Sequence, residues 1–399
     1  MFWLGRLFAA SADGFAARAN AAKGAGSRID AIDFWRGFAL LTIFIDHAPD
    51  NVLQYVTIRN ICFSDAAELF VFLSGVSVAL AYGTRFFRGE RAAAVKAVLR
   101  RAFTLYWVQM LISLLIIALF AAAADYFDND DLIDDDDRSF ILDEPLTAIP
   151  AMLALVHQLV VVNILPLYVV LLLLAPALFM LARRNDWLML SASAALYAGA
   201  RVFDLNLPSW PLEDSWFFNP LAWQLIFAIG LFVGRRARSG GIGYDPRLYS
   251  ACLAVVVAAA IVSSDGFGLA HGLSHALTPV LDHTKTGLGL ARLVNFLALA
   301  YVIAHSGLTA RIRLTPIFAP LALMGRHSLP VFSTGSVLAA LGEVIVETRA
   351  AEFSHRLALG GMIAVAGILV HYLIARLLAA RRAAQPRPVL TVLQWRRAH

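Results

Sequence analysis

One apolar segment near the start of the chain carries four ionisable side chains. Asp33, Arg36, Asp46 and His47 lie at the two ends of the apolar run Phe38–Ile45. A charge inside a bilayer is costly, so such residues are functional candidates by default. An imidazole can move a proton near neutral pH, and a guanidinium binds anionic groups. The segment therefore predicts acid–base chemistry or an ion gate.

Helical geometry places two of these side chains on one stripe. Arg36 and His47 are separated by about three turns plus 20°, and by about 16.5 Å along the axis. Asp33 precedes Arg36 by a pairing distance and lies within about 40° of His47, whereas Asp46 points about 100° away from His47. The stripe is expected to face protein or a water-filled cleft. The alternative is a structural Asp33–Arg36 ion pair with a solvated outer helix end.

The composition is that of a polytopic membrane protein. Of 399 residues, 60% are hydrophobic and 15% are charged, and the mean hydropathy is +0.70. This composition excludes a disordered chain, a disulfide-stapled module and a coiled coil. Cys62 and Cys252 belong to no metal or redox motif, so no metal is expected. We interpret the net charge of +5 as membrane orientation rather than nucleic-acid binding.

We predict an all-α polytopic fold of about ten transmembrane helices, with both termini cytoplasmic. The apolar windows are 32–49, 64–83, 101–124, 165–182, 187–203, 220–234, 248–264, 287–306, 317–341 and 357–380. An eleventh apolar segment, 146–163, is expected to be re-entrant or interfacial. With this segment not crossing, 24 of the 33 basic residues lie inside and six outside, as the positive-inside rule requires.

Four regions follow from this pattern. Residues 1–28 form a cytoplasmic arm, either amphipathic or flexible, and residues 29–382 form the transmembrane domain. Residues 125–145 form an acidic outer loop that lacks the spacing of a calcium loop and is expected to be solvated and partly disordered. Residues 383–399 form a basic cytoplasmic tail.

Several motifs resemble a known family. The spacing of Arg36 and His47 matches the R-x10-H motif of the transmembrane acyltransferase superfamily. More closely, RIDAIDFWRGFALLTIFIDH (28–47) and RNICFSDAAELFVFLSGVSVALAYG (59–83) resemble the OpgC family, membrane succinyltransferases of osmoregulated periplasmic glucans. NPLAWQLIFAIGLFVG (219–234) and LMGRHSLPVFSTG (323–335) also look like that family.

The resemblance implies a reaction and a location. A succinyl group, or an acetyl group, would move from cytoplasmic acyl-CoA to a hydroxyl of a periplasmic glucan, at the inner membrane of a bacterium. Residues 29–382 would be the acyltransferase domain. No permanently bound cofactor is implied. The partners would be acyl-CoA, the glucan acceptor and membrane lipid, without nucleic acid.

The resemblance and the chemistry it requires also assign candidate residues. His47 would be the general base or, in a second version, a transient acyl carrier. The catalytic set is His47, Arg36, Asp33 and Asp46. The acyl-CoA set is Arg85, Arg88, Arg100, Arg101, Arg326, His327 and Ser328. The acyl or acceptor set is Asp65, Glu68, Arg292, Trp216, Trp223 and Gln224. Arg292 and Arg326 are the candidates for binding the succinyl carboxylate.

Other interpretations remain open at this point. Asp65 and Glu68 could simply cap a helix, and the tryptophans could form an interfacial belt. The main functional alternatives are O-acetylation of a surface polysaccharide and a glycan transporter or flippase whose buried charges form a gate. Sequence symmetry between the two halves of the chain would favour a transporter, and the sequence shows none.

Overall fold

The described part of the chain is helical throughout. The structure, a computed structural model, describes residues 30–134, 138–211, 215–264, 276–277, 280–350 and 352–384. Within these ranges there is no strand, only an isolated bridge between Pro208 and Ser215. The prediction of an all-α fold is confirmed. The predicted arm 1–28 and residues 385–399 of the predicted tail lie outside the described residues.

Twelve helices of nine or more residues are present in the described ranges. They are α1 Asp30–His47, α2 Ala66–Val78, α3 Arg91–Phe127, α4 Pro145–Leu153, α5 Ile164–Arg184, α6 Asp186–Val202, α7 Pro220–Arg236, α8 Pro246–Ser263, α9 Leu290–His305, α10 Phe318–Arg326, α11 Ser328–Arg349 and α12 Phe353–Ala384. A π turn, Ala79–Gly83, and the short helix Thr84–Phe87 continue α2. Shorter helical turns are Val52–Val56, Ile58–Asn60, Asp131–Asp134, Phe140–Asp143, Val160–Val162 and Leu308–Ile312.

Six helical stretches of the described chain are long and apolar enough to cross a membrane. They are Ala66–Phe87, Arg91–Phe127, Val160–Arg184, Pro246–Ser263, Ser328–Arg349 and Phe353–Ala384. Leu290–His305 is a shorter apolar helix. The chain is therefore a membrane protein by the length and composition of its helices.

The segment 146–163 does not form a single helix. Its one regular helix, α4, has nine residues, which span about 13.5 Å against a hydrocarbon core of about 30 Å. The chain then runs without a helix to the turn Val160–Val162. This geometry is in keeping with a re-entrant or interfacial segment.

The predicted single span 317–341 is wrong. The chain breaks at His327, which has φ −110° and ψ 36°, and separates α10 from α11. Pro330 gives the physical reason. It has no N–H to donate, and its ring clashes with the carbonyl four residues earlier, at Arg326. As a result α11 extends to Arg349, well beyond the predicted end.

The predicted acidic loop is more ordered than expected. Leu132, Ile133 and Ile141 are buried within short helices. The guanidinium of Arg138 donates to Glu343 at 2.7 Å and lies 3.6 Å above the ring of Phe120. These contacts fix the ends of the loop against α3 and α11. Residues 135–137 lie outside the described residues.

Ion pairs join the helix ends in two sets. The first set joins ends that the charge pattern places inside: Arg326 with Asp30 and Arg235 with Asp186. The second joins ends that it places outside: Arg292 with Asp65, Arg201 with Asp282 and Arg356 with Asp50. None of these five pairs joins a predicted inner end to a predicted outer end.

Two helix pairs touch backbone to backbone through glycines. In α2 and α7, a Cβ at Gly75 would collide with the carbonyl oxygen of Phe227, and one at Gly230 with that of Phe72. In α1 and α10, the same holds for Gly37 and Gly325. Small residues allow close approach in membranes, where packing rather than the hydrophobic effect holds helices together. These contacts fix α1 and α2, which carry the candidate site.

We expect Gly75→Ala to destabilise the protein by about 1–3 kcal/mol, because the added methyl must push α2 away from α7. Gly199→Ala is the matched control, since no atom lies within 4 Å of a Cβ at that helical position. That variant is expected to gain about 0.5–1 kcal/mol from reduced backbone entropy. The measurement is the free energy of unfolding in detergent. Equal effects of the two substitutions would contradict this packing argument.

Candidate functional site

His47 lies in a small polar cavity at the predicted outer ends of α1, α2 and α5. The cavity has a volume of about 140 Å³. Its charged lining consists of Asp46, Arg59, Asp65 and Lys285, and the rest of its wall consists of Ile43, Ala66, Ala67, Val160, Val161, Asn163, Ile164, Phe217, Phe218 and Phe332. Two carboxylates and two cations thus surround one imidazole.

The hydrogen bond of His47 fixes its tautomer. Nδ1 lies 2.7 Å from the carbonyl oxygen of Ile43, one helical turn earlier. Because a carbonyl oxygen can only accept, we assign the proton to Nδ1. Nε2 then carries the lone pair of a neutral imidazole. His47 is solvent-accessible through the cavity, so this nitrogen can take a proton from a bound group.

Asp46 does not orient His47. Its Oδ1 accepts a hydrogen bond from the Thr57 hydroxyl at 2.7 Å and lies 4.0 Å from Nε of Arg59. The carboxylate thus holds the turn that follows α1. Its predicted catalytic role can only be electrostatic in this arrangement.

Asp65 and Glu68 cap α2 and also bind cations. Asp65 accepts from the Ala67 N–H, and Glu68 accepts from the Asp65 N–H, which forms a capping box. Arg292 of α9 donates to Glu68 at 2.6 Å and to Asp65 at 3.1 Å. Lys285 lies 2.7 Å from the same Asp65 oxygen. The capping and site interpretations are therefore compatible.

The loop that presents Lys285 is held by buried groups. The Trp223 indole donates to the carbonyls of Lys285 and Thr286, each at 3.1 Å. Arg201 donates to the Gly287 carbonyl and to Asp282. Burial raises the pKa of Asp282, but the Leu290 N–H and Arg201 outweigh it and hold that pKa below its usual value. Asp282 therefore stays charged and keeps its contacts with Arg201 and the Leu290 N–H, which hold the two ends of the loop together.

Three of the predicted acceptor residues do not line the cavity. Trp223 is fully buried, and its indole N–H holds the main chain of Lys285 through a hydrogen bond to the carbonyl. Gln224 is buried and donates to the carbonyls of Ser193 and Leu221. Trp216 is also buried, and its neighbours Phe217 and Phe218 line the cavity instead. Trp223 is therefore a positioning residue for Lys285, whereas Gln224 contacts no residue of the cavity through its hydrogen bonds.

Arg36 lies in a second polar cluster at the predicted inner end of α1. It donates to Asp33 at 3.5 Å, to the Gly325 carbonyl at 3.4 Å and to the Ser77 hydroxyl. Arg326 donates to Asp33 at 3.3 Å and to Asp30 at 2.7 Å. The predicted Asp33–Arg36 pair is thus present, within a larger network that joins α1, α2 and α10.

The two residues that follow Arg326 lie at the break between α10 and α11. His327 is buried at this break, and Ser328 is the first residue of α11.

Buried apolar side chains of α1 lie between Arg36 and His47. A crevice of about 10 Å³ adjoins His47 and is lined by Leu40, Phe44 and His371, among others. None of the described cavities contains both Arg36 and His47. The side chains of Leu40 and Phe44 are each 3% exposed, so they fill the stripe between the two groups.

A large basic cavity opens at the predicted inner ends of α3 and α5. Its volume is about 1230 Å³. Its cations are Arg91, Lys96, Arg100, Arg183 and Arg184. A separate cavity of about 480 Å³ contains Arg88, Arg235, Arg236 and Arg238. Of the predicted acyl-CoA residues, Arg100 therefore lines the first cavity and Arg88 the second, whereas Arg85 and Arg101 line neither.

The family model described as OpgC protein matches residues 28–383. The chain belongs to the OpgC family. Neither a curated protein nor a solved structure matches it. Membership of the OpgC family indicates an acyltransferase-like function on glucans. Within the described residues, no group of three or more His, Cys, Asp or Glu side chains could hold a metal ion.

The sequence did not reveal Lys285, Arg59 or His371 as site residues. Arg59 and Lys285 were counted only as outer cations. Arg59 begins the family-like stretch 59–83 but was given no role there, and no motif contains Lys285. They reach the cavity because a turn after α1 and a loop before α9 meet there. A long-range contact of this kind leaves no signal in a single sequence.

We expect Arg292→Met to destabilise this OpgC-family protein by about 3–5 kcal/mol, because it leaves the buried Glu68 carboxylate without its cation. The double variant Arg292→Met/Glu68→Leu should recover part of that loss. Arg349→Met is the control, since Arg349 is exposed and its guanidinium lies 5.9 Å from the Phe127 ring. Unfolding in detergent measures all three. A loss for Arg292→Met no larger than for the control would show that the pair is not structural.

Proposed function

We propose that this OpgC-family protein is a membrane O-acyltransferase that moves a succinyl group from cytoplasmic succinyl-CoA to a hydroxyl of a periplasmic glucan. We place it in a bacterial inner membrane, with ten crossings and both termini in the cytoplasm. The observation that carries the proposal is the fixed tautomer of His47, whose Nε2 lone pair lies in a polar cavity.

The cavity supplies a general base for acyl transfer. Nε2 of His47 takes the proton from the acceptor hydroxyl, and the oxygen attacks the thioester carbonyl carbon. The new C–O bond forms and the C–S bond breaks. The CoA thiolate leaves and takes back the proton from the imidazolium. Lys285 lies where it can stabilise negative charge that develops on the carbonyl oxygen.

The donor has a natural entry site in the larger basic cavity. Arginine and lysine side chains bind phosphates, and five of them line this cavity. Helix α5 connects the two sites, because Pro176 lines the basic cavity and Ile164 lines the His47 cavity. Twelve residues of helix separate them, about 18 Å. The extended pantetheine arm of CoA can cover such a span.

Acyl transfer requires the two cavities to connect. Between them, Leu171, Leu172 and Ala175 of α5 are fully buried, and Phe70 of α2 packs edge-on against Tyr168. The structure is therefore closed between donor and acceptor sites. We propose that donor binding separates α2 or α3 from α5. When no donor is bound, the closed packing of these helices would keep protons from crossing the membrane.

His47→Ala is expected to lower acyl transfer by about 10²–10⁴-fold, because the hydroxyl loses its general base. Binding of succinyl-CoA and the unfolding temperature should stay unchanged. The measurement is transfer to glucan in proteoliposomes. His355→Ala is the control, since His355 lies outside the cavity with its side chain 73% exposed. Wild-type turnover in His47→Ala would remove His47 from the mechanism.

Arg100→Gln combined with Arg183→Gln should raise the KM for succinyl-CoA by roughly tenfold while kcat is kept, since phosphate contacts bind the donor equally in ground and transition states. The KM of the wild type should also rise with salt. Arg376→Gln, at the other side of the bundle near Tyr372, is the control. An unchanged KM in the double variant would place the donor elsewhere.

Mass spectrometry of glucans from cells with and without the protein tests the function as a whole. A glucan mass higher by one succinyl unit in cells with the protein supports the proposal, and a shift by an acetyl unit would change the donor. Binding of succinyl-CoA in detergent separates an acyltransferase from a glycan transporter. A protein that moves glucan but binds no acyl-CoA would overturn the proposal.

A further inference from the structure

Arg59 is the least engaged cation of the His47 cavity. Its nearest carboxylate oxygen within the described residues is Oδ1 of Asp46, at 4.0 Å from Nε. That distance exceeds a hydrogen bond, and the Asp46 oxygen already accepts from Thr57. The side chain of Arg59 is 46% exposed. Its N–H donors are therefore available to a group that enters the cavity.

The other cations near this site are already paired. Lys285 lies 2.7 Å from Asp65, and Arg292 contacts both Asp65 and Glu68. At the opposite end of α1, Arg326 contacts Asp30 and Asp33. The prediction was that Arg292 or Arg326 supplies the cation that a desolvated succinyl carboxylate needs, whereas in the structure each of these arginines already contacts two carboxylates of the protein.

The size of the cavity limits what can enter it. A volume of about 140 Å³ corresponds to roughly five water molecules at about 30 Å³ each. This space suits a short acyl group rather than a chain of sugars, which must then approach from the mouth. Among the groups of the proposed reaction, the short acyl group is the one that fits inside the cavity, on whose wall Arg59 lies.

We propose that Arg59 binds the free carboxylate of a dicarboxylic acyl group held beside His47, and so selects diacid donors over neutral ones. This inference rests on the proposed acyl transfer and names the feature of the donor that the outer cavity recognises. A guanidinium can bind a carboxylate through two parallel hydrogen bonds. The turn Ile58–Asn60 places this guanidinium at the cavity wall, and Thr57, bonded to Asp46, fixes the turn.

The experiment compares two donors of equal carbon length. Succinyl-CoA carries the carboxylate, and butyryl-CoA lacks it. Transfer to glucan is measured for each in proteoliposomes of the wild type, Arg59→Gln, Arg59→Lys and the control Arg349→Gln. Arg349 is a cation at the end of α11 that does not line the cavity.

We expect Arg59→Gln to lower the ratio of kcat/KM for succinyl-CoA over butyryl-CoA by roughly tenfold or more, the loss expected for a hydrogen bond to a charged group. Arg59→Lys should keep part of the preference, and Arg349→Gln should keep all of it. An unchanged ratio in Arg59→Gln would overturn the inference. An equal loss for both donors would overturn it as well, because Arg59 would then be structural.

The same experiment distinguishes failure of the proposed acyl transfer from failure of the carboxylate recognition by Arg59. If the wild type transfers neither acyl group, or binds no acyl-CoA, the acyltransferase proposal falls and the inference falls with it. If the wild type transfers both groups at equal rates, acyl transfer stands and only the carboxylate recognition is refuted.

Discussion

A charged side chain within a membrane protein needs a partner, and this constraint organises the outer half of the molecule. Glu68 is fully buried, and its carboxylate is matched by Arg292 at 2.6 Å. The same guanidinium reaches Asp65, which in turn holds Lys285. This chain of contacts ties α2 to α9 and to the loop before it. Together with the contacts that Trp223 and Arg201 make to that loop, it fixes the wall opposite His47, since α9 otherwise packs chiefly on α8.

The need for partners also distinguishes binding residues from structural ones. A paired cation has its charge neutralised and its donors occupied, so it holds helices together, as Arg292 and Arg326 do. A loosely paired, partly exposed cation at a cavity wall is tolerated because water solvates it until a ligand arrives. Arg59 is in that position. The amino-acid type is the same in all three cases, and only the surroundings separate the roles.

What the sequence predicts depends on how far apart the interacting residues lie along the chain. The Asp33–Arg36 pair and the cap formed by Asp65 and Glu68 are local, and local spacing predicts them. The break at His327 has a local cause as well, since Pro330 excludes a continuous helix, but the apolar window 317–341 was predicted as one span and missed it. In contrast, Lys285 meets Asp65 across more than two hundred residues of sequence. Only helix packing brings them together, and packing here depends on glycine contacts that hydropathy does not detect.

The same packing explains why hydropathy located the apolar segments but not the surroundings of side chains such as Trp223. Trp223 begins α7 in an outer region where an aromatic side chain favours an interfacial position. The close glycine contact between α2 and α7 draws its ring into the interior, and its indole N–H then supports the loop that carries Lys285. A hydropathy pattern gives the depth of a residue but not the side of the helix that faces a neighbour.

The charge balance of the outer cavity fits a reaction in which a proton moves without a net charge being buried. Asp46 and Asp65 oppose Arg59 and Lys285, so the lining is neutral while His47 is neutral. When the imidazole takes a proton, the attacked carbonyl gains a negative charge at the same step, and the total remains zero. In the proposed transfer the carboxylates would stabilise the imidazolium, and Lys285 would stabilise the oxyanion. A dicarboxylic donor would add one negative charge to this balance, and in the proposed complex that charge would lie against Arg59, the least engaged cation of the lining.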